Sequence, residues 1–379
     1  MYKAAKIRTM EVSMNREVSL RQITFMYLFI SISSILRQIP EALASDAGRS
    51  GYLSPIWSVV ATVPLTAIVI LLLKSYPGLN LYEIMVQLWG KFLSKVIILA
   101  YLLWILLGII AKVTIYSLTL QFTLMPKTRS DFFMVILAIL VFYALIRGMK
   151  TIFRFSELTL SSILLLFAIM FLCAVGRIRS DYLLPVSTIN LKDTVVASKH
   201  VIAVGGNIII ALFFADKFGI SVTKEQYRKL WFGILTFTVL TFVITLFTFG
   251  ISGTSLTRNL PFPFYITVKS ISFFNIFERF EVLVTLICIL SDFAAICIFA
   301  ILLLRCFQWL FNLQECNSLY LPLTVIIFYL TYYISSTQFE FNYLYRYIIV
   351  NLNLIFEYAI PLLLTILCLV KRKKIKKQY

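Results

Sequence analysis

Three charged residues stand where a helix crossing a membrane would carry leucine or valine: Lys112 in "IIAKVTI", Asp292 in "ILSDFAA" and Glu357 in "LIFEYAI". An isolated ammonium at mid-bilayer costs at least about 2.5–3.5 kcal/mol on insertion scales, so it must face other helices and either pair or lose its proton. For Lys112 and Asp292 the residues themselves suit an ion pair between helices. A second group lies in "SISSILRQIPEALASDAGRSG", residues 31–51, with Ser33, Ser34, Arg37, Gln38, Pro40 and Glu41 inside an apolar run. A helix broken near Ser33 and Ser34 would leave carbonyls on one side and N–H groups on the other, partners for the ammonium and carboxylate of an amino acid. Pro40 would suit the first turn of the resumed helix, having no N–H to lose there. The alternative is a continuous helix kinked at Pro40, with the serines bonding back to preceding carbonyls. Arg37 and Glu41, four apart on one helix face, suit an ion pair near the outer interface; Arg37 as a gate or carboxylate clamp is the competing reading.

A third group is Val204, Gly205, Gly206 and Asn207 in "AVGGN". Paired glycines let backbone approach a ligand closely, and they equally let helices pack closely. Lys199 and His200, about a turn earlier, are expected in an outer vestibule. Arg154 and Glu157, and Arg279 and Glu281, fall at span ends and are expected to make interhelical salt bridges. The sequence offers no nucleophile and base pair, no phosphate-cradling glycine loop and no metal cluster, so neither catalysis nor a cofactor is expected. The six cysteines show no C-x-x-C spacing and most fall in apolar runs, so neither a disulfide framework nor a metal site is expected.

The elements that must position these groups are membrane helices. Of 379 residues, 60% are apolar, where soluble domains run to about 45–50%. Hydropathy reads as ten spans: 21–45, 54–73, 96–124, 132–147, 157–176, 196–216, 230–250, 280–304, 320–337 and 347–370. A net charge of +18 would suggest nucleic acid in a soluble protein, but here the basic residues lie between and beyond the apolar runs. They read as topology, and their excess on the side of the termini predicts both termini cytoplasmic. No cleavage signal comes after the first apolar run, so that run is expected to stay in the mature protein. The expected organisation is a tail at 1–20, a membrane domain at 21–370 and a basic tail at 371–379 that meets anionic lipid headgroups. Two longer connections, 76–95 and 260–277, look helical; in the first, Leu79, Tyr82, Met85, Val86 and Trp89 recur at three- and four-residue steps. Spans 1 and 6, five apart, are the two with polar or glycine interruptions, the pattern of inverted-repeat transporters with a mid-membrane site. The repeats would cover about 21–176 and 196–370.

The opening "SLRQITFMYLFISISSILRQIPEALASDAGRSGYLS", the "RFSEL" of 154–158, the "DYLLPV" of 181–186, Pro261 with Pro263, and the "FERFE" of 277–281 resemble the B-subunit (GerB-type) permease family of spore germinant receptors. That family is itself similar to the amino acid/polyamine/organocation transporters. The resemblance implies an all-α membrane fold of five plus five inverted helices, LeuT-like, with helices 1 and 6 interrupted. It also implies a pocket for a small germinant such as an amino acid, assembly with A- and C-type subunits, and the spore inner membrane. Arg37 departs from the family pattern, which has an apolar residue there, and serines at 31–34 replace glycines common in the family. Ser33, Ser34, Gln38, Val204, Gly205, Gly206 and Asn207 are the expected ligand-binding residues; Arg37, Lys112 and Asp292 are the coupling or gating candidates. Competing expectations are a working secondary amino acid transporter and a membrane scaffold or channel subunit.

Overall fold

A computed structural model describes residues 18–184, 191–218, 224–270, 280–335 and 337–376. The N-terminal tail to 17, part of "DYLLPV", Arg279, the end of the second connection from 271 and the last three residues lie outside these. The described chain is helical: α1 (Leu20–Ala47), α2 (Ser54–Ser75), α3 (Leu81–Trp89), α4 (Lys91–Thr123), α5 (Ser130–Arg147), α6 (Met149–Ala174), α7 (Leu191–Gly205), α8 (Lys224–Ser252), α9 (Pro263–Lys269), α10 (Phe280–Phe311), α11 (Tyr320–Ile334) and α12 (338–376). Among the described residues, nine apolar helical runs are long enough to cross a membrane. The first, Leu20–Ser75, holds both α1 and α2, divided by a 3-10 turn at Gly48–Leu53, so the ten spans read from hydropathy are all present.

α1 is the axis of the bundle. It packs against α6, α7, α8 and α10, and is buried on nearly every side, as expected of a helix apolar all round. Its start is fixed by a capping box, in which Gln22 N–H donates to Ser19 Oγ (3.2 Å) and Ser19 N–H to Gln22 Oε1 (3.0 Å). α10 lies along α4 and against α1, which brings Asp292, Lys112 and Arg37 into one layer. The short α3 does form, capped by Asn80 and Glu83. It buries Leu81, Ile84, Met85 and Leu88; of the expected stripe only Met85 is fully inside, and Tyr82 stacks on Trp309 instead (6.0 Å).

Two findings qualify the expected interruptions. Span 6 is interrupted at its glycine pair: α7 ends at Gly205, a 3-10 turn covers Gly206–Ile209, and Ile210–Phe213 resumes the helix. Span 1 is not: α1 runs unbroken for 28 residues with Pro40 inside it. The reason is a side chain of another helix. Ser291 of α10 donates its hydroxyl to the Phe29 carbonyl (2.6 Å) and accepts from the Ser33 N–H (3.2 Å), standing between the two groups that a helical bond would join. A hydroxyl inserted into the ladder bends a helix without breaking it. No ligand is needed to satisfy these two backbone groups.

Candidate ligand-binding cavity

Asp292 is fully buried, and three side chains converge on it. Arg37 Nη2 donates to its Oδ2, the Ser33 hydroxyl donates to its Oδ1, and Lys112 Nζ lies 3.5 Å from Oδ1. Lys112 also donates to Ser33 Oγ (2.9 Å) and Ser34 Oγ (3.0 Å). The rest of the guanidinium is engaged by the carbonyls of Ser33 (3.4 Å) and Ile115 (3.3 Å) and by the Thr119 hydroxyl. Arg37 therefore pairs with Asp292 across helices and not with Glu41 along its own. A carboxylate inside the bundle attracts a cation more strongly than one nearer water, because little dielectric screens it. Arg37, Lys112 and Asp292, expected separately, form one cluster.

Beside it lies a cavity of about 60 Å³, lined by Ser34, Gln38, Lys112, Val204, Asn207 and Glu357, with Trp104, Phe299, Phe341 and Tyr345 among its apolar walls. Since one water needs roughly 10–15 Å³ on this measure, the space suits about four to six small atoms or waters. Of the expected ligand-binding residues, Ser34, Gln38, Val204 and Asn207 face it, and so does Lys112. Ser33 stands behind, turned to Asp292. The glycines do not line it: Gly205 lets α7 close on Thr62 and Phe237, and Gly206 lies against the Glu357 carboxylate, where any Cβ would collide.

The wall from α12 has no counterpart among the residues expected from sequence to bind ligand. Two π turns, Leu344–Ile349 and Leu354–Ala359, carry Tyr345 and Glu357. Each adds a residue to a turn and re-aims the side chains beyond it, as such turns do at many functional sites. α12 also caps the broken end of α7: Tyr358 Oη donates to the Ile202 carbonyl (2.7 Å) and Asn353 Nδ2 to that of Ala203 (2.8 Å). Asn207 Nδ2 donates to the Val204 carbonyl (3.0 Å). The acceptors that an interrupted helix would offer to a ligand are thus occupied.

The ends of the bundle are clasped by charge. At the end of α1, Asp46 meets His200 Nε2 (2.9 Å), Lys199 Nζ (3.3 Å) and Arg346 Nη2 (3.0 Å), joining α1, α7 and α12. At the other end of span 6, Arg305 of α10 grips Asp216 through two nitrogens (3.0 and 2.6 Å) and the Phe213 carbonyl. Glu157 of α6 pairs with Arg21 of α1 (3.1 Å), an interhelical bridge of the kind expected at that span end. Among the described residues, no group of three His, Cys, Asp or Glu is placed to hold a metal, and Cys288, Cys297, Cys306, Cys316 and Cys368 are free and buried.

A helical membrane bundle with a central cavity, one wall of which is an interrupted helix, has the architecture of a transporter. The sequence matches the family described as spore germination protein (Spore_permease) over residues 17–343, and the chain belongs to that family. Among solved structures it is similar to Mhp1, a nucleobase-cation-symport-1 family transporter in a closed conformation with bromovinylhydantoin bound. The TM-score is 0.62 at 12% identity, over 90% of this chain and 76% of that one. That likeness is one of fold, LeuT-like. No curated protein matches the sequence. It is a multi-pass membrane protein of a permease family.

Proposed function

We propose that this protein is the B-type subunit of a spore germinant receptor. It binds a small nutrient, an amino acid, in the cavity between α1, α4, α7, α10 and α12, and it signals because the bound form favours one conformer. One observation carries this reading: in a chain of the spore germination family, the polar residues Ser34, Gln38, Lys112 and Asn207 from three helical spans converge on one cavity of about 60 Å³. The small ligand held by the similarly folded Mhp1 supports it. Its setting would be the spore inner membrane, with both termini cytoplasmic and with A- and C-type subunits as partners.

The test is nutrient germination of spores lacking the gene and any redundant receptor. Loss of the response to one amino acid, restored by the wild-type chain and not by Asn207→Leu or Gln38→Leu, is the expected result. Unchanged germination to every nutrient would remove the proposal. A secondary amino acid transporter is the second reading, favoured by the contact of Lys112 with both the cavity and Asp292. Substrate-driven flux in reconstituted vesicles would establish it; binding without flux would eliminate it.

A further inference from the structure

The cavity carries an imbalance of hydrogen-bonding groups, and the imbalance points to one kind of ligand. Glu357 is fully buried, faces the cavity, and has no hydrogen-bond partner on either carboxylate oxygen among the described residues. Gln38 Oε1, also at the cavity, is buried and unpartnered in the same sense. The Lys112 ammonium, the one cation at the cavity wall among the described residues, is turned to Ser33, Ser34 and Asp292. The carbonyls at the break of α7 are taken by Tyr358, Asn353 and Asn207. What the cavity leaves unsatisfied is therefore above all the Glu357 carboxyl group, with the Gln38 amide and the Tyr345 hydroxyl beside it as neutral groups.

A buried carboxylate without a partner is costly, and such groups in membrane spans face a partner or a pathway. Glu357 is held in place, not stray: its π turn is fixed by Tyr101, whose hydroxyl donates to the Phe356 carbonyl (2.7 Å). The Phe356 ring stacks on Trp104 (5.4 Å), and Gly206 leaves the carboxylate room on the far side. We propose that Glu357 is the binding group for a positively charged amino head of the ligand, assisted by Gln38 Oε1. The ligand class is accordingly a small primary amine or a zwitterion that carries one. This rests on the reading of the cavity as a ligand site, and it specifies the end of the ligand that α12 holds.

The experiment uses the purified full-length chain in nanodiscs, with binding read as a shift of the thermal unfolding midpoint. Probes are methylammonium, isobutylammonium and L-alanine, beside the uncharged isobutyramide and the amine-blocked N-acetyl-L-alanine. The amine-bearing probes should stabilise the wild type and the others should not. In Glu357→Gln the affinity for the amines should fall by about 30-fold or more, the scale for removing one partner of a buried charge pair, with partial retention in Glu357→Asp. The unliganded midpoint of each variant reports its folding separately. No stabilisation of the wild type by any amine, or equal amine affinity in wild type and Glu357→Gln, would overturn the proposal. L-Alanine bound equally by both would leave the amino acid reading standing and remove Glu357 from it. Amines bound through Glu357 with no amino acid bound would do the reverse.

Discussion

Asp292 and Glu357 are equally buried acids in one bundle, and their surroundings are opposite. The first is held by Arg37, Lys112 and Ser33; the second meets no partner on either oxygen among the described residues. A membrane helix can carry an acid because the protein neutralises it, because the acid keeps its proton, or because something that arrives later neutralises it. The Asp292 cluster joins α1, α4 and α10 and is complete without a ligand. Glu357 lines the cavity, and the amine proposed above would be its partner.

Removing the carboxylate from each should therefore act in opposite directions. Asp292→Asn leaves two cations facing each other inside the bundle and should destabilise the fold by about 3–5 kcal/mol, visible as a large drop in the thermal unfolding midpoint or as lost expression. Arg37→Met leaves Lys112 to neutralise Asp292, so it should cost less, about 2–3 kcal/mol, chiefly from hydrogen bonds lost to the Ser33 and Ile115 carbonyls and the Asp292 carboxylate. If Arg37→Met proved worse than Asp292→Asn by the same measurement, the assignment of Asp292 as the hub would fail. Ser291→Ala removes the hydroxyl between the Phe29 carbonyl and the Ser33 N–H and should cost about 1 kcal/mol, within the range of interhelical hydrogen bonds in membranes. The smallest effect belongs to Glu357→Gln without ligand: a stability unchanged or raised by up to about 1 kcal/mol, read from the midpoint, because an unpartnered acid is exchanged for an uncharged isostere. A marked fall there would mean that Glu357 has a structural partner and would erase the contrast.

Much of this is legible in the sequence where composition alone decides. The ten spans, the helical first connection and the break of span 6 at Gly205 and Gly206 can be read from apolar runs, caps and glycines. Lys112, Asp292 and Glu357 stand out as charges without water. Facing is what a sequence does not supply. Arg37 and Glu41 sit four apart, so local spacing suggests a pair, yet the stronger partner lies 255 residues away on α10. The polar serines of α1 read as a break because nothing local shows that Ser291 will fill the ladder. The contribution of α12 is hidden for a different reason: a wheel drawn at 3.6 residues per turn misplaces Tyr345 relative to Glu357, since π turns shift the register.

The contact between Gly206 and Glu357 has a consequence for how this chain can change over generations. A Cβ at 206 would stand 2.7 Å from the Cβ of Glu357 as well as colliding with its carboxylate. The constraint runs one way: with Gly206 in place residue 357 can change, whereas a Cβ at 206 requires the turn that carries residue 357 to move, because shortening the acid leaves its Cβ in the way. Position 206 thus depends on a site 151 residues further along the chain, and a relative with a larger residue at 206 should have an α12 wall that is displaced.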